Sequence, residues 1–141
     1  MSELLGEYGR KLDAKGRLSL PADFRKVLSE GLRITPDPLD QCLLVFETEA
    51  FSAWVDSLFE KNGGFNPGNR KMVAQRKVLN ARSQKCEIDN SGRIHLTPDQ
   101  RGIAALDKDV VVVGDMDHIE IWDEGRWNGF KEETDVASLV D

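Results

Sequence analysis

The sequence predicts an α+β fold in which two copies of one small unit share a β-rich core, with short helices on the outside. Two observations carry this prediction. The string Asp-x-x-Gly-Arg occurs twice, as D-A-K-G-R at 13–17 and as D-N-S-G-R at 89–93. In the segment that follows each string, apolar residues alternate with polar ones, which is typical of half-buried strands.

A single offset relates the two copies. Asp13 corresponds to Asp89, 76 positions later, and the same offset relates the block 43–54 to the block 119–130. Further pairs in this register are Gly16/Gly92, Arg17/Arg93, Leu18/Ile94, Leu20/Leu96, Arg25/Arg101, Phe46/Trp122 and Trp54/Phe130. One offset that holds across two separated blocks indicates a two-fold internal repeat, which has too few copies for a solenoid.

The first copy begins with a predicted strand at 7–12 and a tight turn at 13–16. Aspartate suits the first turn position because its carboxylate accepts backbone N–H bonds, and glycine adopts the positive φ that closes the turn. Alternation predicts a second strand at 17–20. Pro21 suits the start of a helix, which we expect to end at Gly31.

The rest of each copy follows one plan. Residues 43–46 read as an apolar strand, and Thr48 is expected to cap a helix that carries Phe51, Trp54, Val55 and Leu58. In the second copy Thr97 replaces the corresponding proline, and Gly102 weakens the short helix by about 1 kcal/mol relative to alanine. Residues 110–113 and 119–122 are expected to form a hairpin around G-D-M-D-H.

We predict four segments along the chain. They are a first repeat at 1–61, a linker loop at 62–69, a second repeat at 70–130 that begins with a basic helix at 70–85, and an acidic tail at 131–141 that frays. Units of 60 to 70 residues are marginally stable alone, so the halves are expected to share one core.

The charge is unevenly distributed. The net charge is −6, which argues against a uniformly basic surface. Residues 70–85 carry six basic side chains and no acid, whereas residues from 107 onward carry eleven acids and three bases. No apolar run, including 42–46 and 110–113, exceeds five residues, and the start M-S-E-L-L-G-E has no signal-peptide pattern, so we expect a cytoplasmic protein without a membrane span.

Catalytic and metal-binding patterns are missing from the sequence. Cys42 and Cys86 lack C-x-x-C spacing, and we expect both to be reduced structural residues. The chain has no Gly-rich phosphate loop, nucleophile elbow or H-E-x-x-H motif. We therefore predict neither an enzyme nor a metal or cofactor site.

Four strings together resemble the MraZ family, bacterial proteins of the AbrB-like swapped-hairpin class. They are G-E-Y (6–8), L-D-A-K-G-R-L-S-L-P-A-D-F-R (12–25), I-D-N-S-G-R-I (88–94) and I-E-I-W-D (119–123). The second copy departs from the pattern, with H-L-T-P-D-Q-R-G where an aliphatic-Pro-Pro continuation is more usual.

The resemblance implies a function and a motif. It implies a nucleoid-associated transcriptional regulator of the division and cell-wall gene cluster. Such a regulator forms a ring-shaped homo-oligomer and binds short G-rich direct repeats in double-stranded DNA upstream of its own operon. The family motif D-x-x-x-R falls on Asp13 and Arg17 in the first copy and on Asp89 and Arg93 in the second.

A basic β-hairpin is the predicted DNA-binding element. A two-stranded ribbon fits the major groove, where arginine bonds guanine O6 and N7, whereas a lysine at the tip suits phosphate. We expect the first copy to be the main DNA face, with Arg93 as the secondary contact. The predicted DNA-binding residues are Arg10, Lys11, Lys15, Arg17 and Arg93, and the turn residues are Asp13, Gly16, Asp89 and Gly92.

Simpler interpretations remain open for the same residues. The Asp13–Arg17 pair can hold the turn without any ligand, and the helix at 70–85 can present a solvated face, bind phosphates or meet an acidic neighbouring subunit. Trp54, Trp122 and Trp127 fall at corresponding apolar positions, which favours core packing over ligand stacking. The alternative function is an antitoxin-like protein-interaction module, whose tail would wrap a partner.

Overall fold

The computed structural model describes residues 3–29 and 31–141. The first copy contains, in chain order, β1 (Leu4–Lys11), β2 (Arg17–Ser19), α1 (Ala22–Val27), β3 (Gly31–Pro36), β4 (Leu43–Glu47) and α2 (Thr48–Glu60). After the connecting helix α3 (Arg70–Arg82), the second copy contains β5 (Gln84–Glu87), β6 (Arg93–His95), α4 (Pro98–Ile103), β7 (Asp109–Met116), β8 (His118–Asp123) and α5 (Glu124–Glu133). A 3-10 turn follows at Ala137–Val140.

The strands form a large antiparallel sheet and a short ribbon. The sheet has the order β1-β7-β8-β4-β3-β5, and the ribbon consists of β2 and β6. Every pairing in the two sheets is antiparallel. The prediction of an α+β fold with two duplicated halves is confirmed.

The two copies exchange their first strands. β1 of the first copy pairs with β7 of the second, and β5 of the second copy pairs with β3 of the first. In the middle of the sheet β4 pairs with its counterpart β8, with Leu44 opposite Glu120. In the ribbon Leu18 lies opposite Ile94, also its counterpart at the 76-residue offset. These self-paired positions mark a pseudo-two-fold axis that relates the halves.

The halves share one hydrophobic core, as predicted. Its fully buried members come from both copies and include Leu18, Phe24, Ile34, Leu43, Ile94, Leu96, Val110, Val112, Ile119 and Ile121. A second, aromatic cluster on the other face of the sheet contains Phe46, Phe51, Phe59, Met72 and Trp122. Trp54 and Trp127 pack against it partly buried, so all three tryptophans pack as the sequence favoured.

The structure corrects several predicted boundaries in the first copy. α1 ends at Val27 rather than at Gly31, and Gly31 instead opens β3, a strand that the sequence reading missed. Thr48 does not cap α2, because it is the first helical residue and Glu47 occupies the cap position without a side-chain hydrogen bond.

The second copy and the tail also differ from expectation. The basic helix stops at Arg82, since Ser83 is extended and Lys85 lies in β5. Thr97 forms a capping box with Gln100, which offsets the helix-weakening effect expected of Gly102. α5 continues to Glu133, so the expected acidic tail begins inside a helix. Among the helices of residues 3–29 and 31–141, none combines the length and apolarity that crossing a bilayer requires.

Candidate nucleic-acid interface

The Asp13 turn is closed by the aspartate side chain. Oδ1 accepts hydrogen bonds from the backbone N–H groups of Lys15 at 2.9 Å and Arg17 at 2.8 Å. Oδ2 accepts a hydrogen bond from Nε of Arg17 at 2.8 Å. One carboxylate therefore fixes both the turn and the direction of the arginine.

The Asp89 turn repeats this arrangement more loosely. Oδ1 accepts from the N–H groups of Ser91 at 2.8 Å and Arg93 at 3.0 Å. Nε of Arg93 lies 3.6 Å from Oδ2 of Asp89, which is too far for a hydrogen bond. This buried Nε has no hydrogen-bond partner among the described residues. We call each aspartate and the arginine guanidinium beside it a clamp. The Asp13–Arg17 clamp is closed by a hydrogen bond, whereas the Asp89–Arg93 clamp is open.

Both turn carboxylates are held in the ionised form. The backbone N–H and guanidinium of Arg17 lower the pKa of Asp13 below its usual range. The backbone N–H of Arg93, followed by that of Ser91, lowers the pKa of Asp89, and the positive charge of Arg17 adds to the effect. Each carboxylate is thus held ionised mainly by the backbone and arginine of its own motif.

The ribbon of β2 and β6 carries both arginines on one face. Arg17 lies opposite His95, and Ser19 lies opposite Arg93. Leu18 and Ile94 between them are fully buried, so the alternating side chains of the other four residues face solvent. Arg17 and Arg93 are diagonal neighbours on this face. We call the four outward side chains the ribbon face.

The two turns lie at opposite ends of the ribbon and are fitted against the other copy. Leu96 N–H donates to the carbonyl of Gly16 at 2.7 Å, and Leu20 N–H donates to that of Gly92 at 3.0 Å. Both glycines have positive φ, +83° and +76°. A Cβ at Gly16 would collide with the Leu96 carbonyl, and one at Gly92 would collide with the Arg25 guanidinium.

The structure separates the predicted basic residues into two groups. Arg17, Arg93 and the exposed Lys15 lie at the ribbon and its turn tips. Arg10 and Lys11 lie on β1, which pairs with β7 rather than with β2. The expected ribbon formed by the strands on either side of the Asp13 turn is therefore wrong, because β2 pairs with the other copy.

Arg10 and Lys11 are engaged within the chain. The Arg10 guanidinium carbon lies 5.7 Å from the centre of the Tyr8 ring, and Nη1 donates to the carbonyl of Gly9 at 2.8 Å. Lys11 forms an ion pair with Asp109 on β7. These two residues remain candidates for phosphate contact, but they do not belong to the ribbon face.

Sequence reasoning missed two members of the ribbon face. Ser19 and His95 became visible only through the register of β2 and β6, which places them across from Arg93 and Arg17. It also missed the guanidinium groups of Arg25 and Arg101 beside the turn glycines of the other copy. Their match at the 76-residue offset was the available signal.

The chain matches a family model over almost its whole length. The model is described as "MraZ protein, putative antitoxin-like", and it matches twice in tandem, over residues 4–72 and 79–141. Each match covers one copy of the repeat and its D-x-x-x-R motif. The chain belongs to the MraZ family.

Curated relatives of this MraZ-family chain carry a common name. A protein of Lachnoclostridium phytofermentans named "Transcriptional regulator MraZ" is 40% identical over 87% of this chain and 83% of the relative. Proteins of the same name from Corynebacterium diphtheriae and a Nocardioides species are 39% and 41% identical, over 94% and 89% of this chain and 90% and 84% of the relatives. Their names describe transcriptional regulators and not enzymes.

Helix α3 carries the basic segment between the two MraZ repeats. Arg82 forms an ion pair with Asp40, and the Arg76 guanidinium lies 3.5 Å from the centre of the Phe65 ring. Arg70, Lys71 and Lys77 form no ion pair within the described part of the chain. Part of this helix is thus committed to packing, while part of its charge is open to an acidic or phosphate partner.

Other polar groups of the MraZ-family chain have structural explanations. Asp115, His118 and Glu120 gather potential metal-ligand atoms within 4.8 Å of one another. However, Nδ1 and Nε2 of His118 each lie 2.8 Å from a carboxylate, Asp117 and Glu120. Burial lowers the pKa of His118, but these carboxylates outweigh it and raise the pKa overall. A protonated imidazole accounts for this cluster without an ion.

The cysteines are free and buried, as expected for structural residues. Burial, together with the neighbouring Glu87 charge, raises the pKa of Cys86 to about 11, and burial with the nearby Glu120 raises that of Cys42 further. Thiols with raised pKa values are poor nucleophiles at neutral pH.

Proposed function

We propose that this chain is a DNA-binding transcriptional regulator whose ribbon face enters the major groove. The observation that carries the proposal is the placement of Arg17 and Arg93, one from each copy, on the same solvent-facing side of a two-stranded ribbon. The major groove of B-DNA is about 12 Å wide and admits a ribbon of this kind. The names of the curated relatives support the same class of function.

The Asp13 clamp suits Arg17 to reading guanine. Nε of Arg17 donates a hydrogen bond to Asp13, whereas Nη1 and Nη2 of Arg17 form no hydrogen bond with the described residues. A planar guanidinium can donate two parallel hydrogen bonds, one to O6 and one to N7 of the same guanine. A side chain that is already fixed loses less conformational entropy on binding. Guanine-rich sites are therefore the proposed targets.

Arg93 is proposed to complete the site on binding. Its Nε lies buried and unpaired at 3.6 Å from Asp89, so a small rearrangement would close the second clamp. A ligand that orders Arg93 would supply the driving force for that step. The two copies then contribute one arginine each, with the first already positioned.

Phosphate contacts are proposed to come from the basic groups that surround the ribbon. Lys15 projects at the tip of the first turn, and Arg25 and Arg101 lie beside the turn glycines. Such contacts raise affinity without selecting a sequence. Arg10 and Lys11 on β1 are the more distant candidates for the same role.

A ribbon of three residues per strand contacts a short stretch of DNA, so one subunit alone would bind weakly. We propose that several subunits in a ring-shaped homo-oligomer bind direct G-rich repeats upstream of the chain's own operon, in the division and cell-wall gene cluster. The resemblance noted from the sequence supports this target. Linked contacts of this kind raise avidity by roughly 10² to 10⁴.

Alanine substitution on the ribbon face tests the proposal. Arg17→Ala and Arg93→Ala should each weaken binding to a duplex of the upstream direct repeats by about 1–3 kcal/mol, because each removes a bidentate guanine contact. Fluorescence anisotropy at fixed salt measures the affinity. Arg126→Ala on α5, whose guanidinium bonds the backbone of Asp40, is the matched control and should leave binding unchanged.

Replacing guanines in the repeats separates direct reading from general attraction to DNA. If both arginine variants bind as tightly as the wild type, or if guanine replacement has no effect, the ribbon face is not the reader. A wild-type protein that ignores duplex DNA at low salt but copurifies with a small protein in fixed ratio would favour the antitoxin-like alternative.

A further inference from the structure

A groove between α2 and α3 has no occupant within the described chain. Its volume is about 630 Å³, and its apolar walls are Pro38, Leu58, Phe59, Met72, Val78 and Leu79. Val78 is 57% exposed and Leu58 is 38% exposed, so the groove presents apolar surface to solvent. A contiguous exposed apolar patch is more often an interaction site than the polar remainder of a protein surface is.

The groove is bordered by positive charge. Lys61 lines it directly, as does Arg82, which is paired with Asp40, and Lys71 lies one helical turn before the lining residue Gln75. Lys61 and Lys71 form no ion pair within the described residues. The groove therefore suits an apolar segment that carries acidic residues.

The C-terminal segment of the same chain has the complementary character. Residues 132–141 contain Glu132, Glu133, Asp135 and Asp141 and no base. Its large apolar side chains are left in solvent, with Val136 67%, Leu139 83% and Val140 89% exposed. Ala137–Val140 forms a 3-10 turn, in which Val136 and Leu139 lie above one another.

We propose that the C-terminal segment of one copy docks into the α2–α3 groove of a second copy. Val136 and Leu139, at i and i+3 with Val140 beside Leu139, supply the apolar anchors of a short helical segment that can lie in an apolar groove. The acidic residues of the segment then face Lys61, Lys71 and the neighbouring charges of α3. Each subunit offers one segment and one groove.

The contact is heterologous, and such contacts close into rings or continue as filaments. The proposal rests on the homo-oligomer proposed above and names the surfaces that build it. It also gives the basic helix a protein partner, which leaves the ribbon face of every subunit free for DNA.

Two full-length variants test the proposal by mass. Leu139→Asp places a charge in the docking segment, and Val78→Asp places one in the groove; both positions are exposed, so the fold should persist. Light scattering over a concentration series should show the wild type larger than a monomer and each variant as a monomer. Ser138→Asp in the segment and Asn80→Asp on α3 are the matched controls and should assemble like the wild type.

Mixing the two variants gives the sharper result. Leu139→Asp retains an intact groove and Val78→Asp retains an intact segment, so an equimolar mixture can form a single productive contact and should yield a dimer. A mixture that stays monomeric would overturn the assignment of the segment to the groove. If Val78→Asp lowers the melting temperature, Gln75→Asp, exposed on the same groove wall, replaces it.

The outcomes separate this interface from the wider proposal. Variants that keep the wild-type mass, in a wild type that is oligomeric, overturn the tail-and-groove contact and leave the oligomer standing. A wild type that is itself monomeric overturns both. Neither result decides whether the ribbon face reads guanine, which the anisotropy experiment with the arginine variants measures separately.

Discussion

At the scale of single residues, the aspartate of each motif organises its turn, and in the first copy it also positions the arginine. The Asp13 carboxylate satisfies two backbone donors and one guanidinium nitrogen, so the turn and the arginine are ordered by the same group. The equivalent carboxylate in the second copy satisfies only the backbone donors. The side-chain hydrogen bond between aspartate and arginine is therefore formed in the first copy and not in the second.

The Asp13 carboxylate should make stability depend on acid. Its pKa is lowered in the folded protein, so its stabilising contribution is present above the ordinary value of 3.8 and is lost as the pH falls through the folded value. Asp13→Asn should therefore be destabilised most near neutral pH and should approach the wild type in acid. Urea unfolding between about pH 2 and pH 7 measures this difference.

The control for this experiment is Asp56→Asn, which removes one exposed charge from α2. A destabilisation by Asp13→Asn that persists undiminished below pH 3 would contradict the ionised-clamp account and would point to a packing effect.

At the scale of elements, the ribbon depends on glycine at both turns. Gly16 and Gly92 combine a left-handed backbone with close approach to the other copy. These contacts hold the ends of the ribbon in register, which in turn places Arg17 and Arg93 on one face. The ribbon face is consequently a product of the pairing of β2 with β6 and not of either repeat alone.

Gly16→Ala should destabilise the protein by about 2 kcal/mol or more. The left-handed conformation alone costs an alanine roughly 1–2 kcal/mol, and contact of the new Cβ with the Leu96 carbonyl adds to it. Gly9→Ala is the matched control, since its Cβ would meet nothing within 4 Å, and its stability should match or slightly exceed that of the wild type. Chemical denaturation of both variants gives the comparison, and equal stabilities would refute the packing argument.

The sequence predicted individual turns and strands better than it predicted which strands pair with each other. The Asp13 turn was predictable because its hydrogen bonds join residues at most four apart. The pairing of β1 with β7 was not, because alternation marks a strand without naming its neighbour. Ser19 and His95 were missed for the same reason, since their common face exists only in the register of β2 with β6. β3 was missed because Gly31 was interpreted as the end of a helix.

At the scale of the whole molecule, charge segregation reconciles a net charge of −6 with binding to DNA. The ribbon and its turns carry Lys15, Arg17 and Arg93 against Asp13 and Asp89, whereas residues 107–141 carry eleven acids against three bases. Ordered charge of this kind sets the local potential more strongly than the sum does. The acidic part can then face neighbouring subunits while the basic part faces the duplex.

The salt dependence of binding should report this arrangement. The logarithm of the affinity should fall linearly with the logarithm of the salt concentration, with a slope of about −0.9 per neutralised phosphate. Lys15→Ala should make the slope less negative by about 1 per bound subunit, with little change in sequence preference. Lys131→Ala, which removes a lysine paired with Glu7 in the acidic part, should leave the slope unchanged. A flat salt series for the wild type would indicate a partner other than DNA.

The exchange of first strands also changes what keeps the molecule whole. At each edge of the sheet a strand of one half pairs with a strand of the other, β1 with β7 and β5 with β3. The halves also pair in the middle of the sheet, through β4 and β8. The covalent connection at 62–69 is a surface loop that takes no part in these strand pairings, although its Phe65 packs against the aromatic cluster. A protease cut there should leave two fragments that stay associated through these strand pairings, as the two subunits of a dimer would.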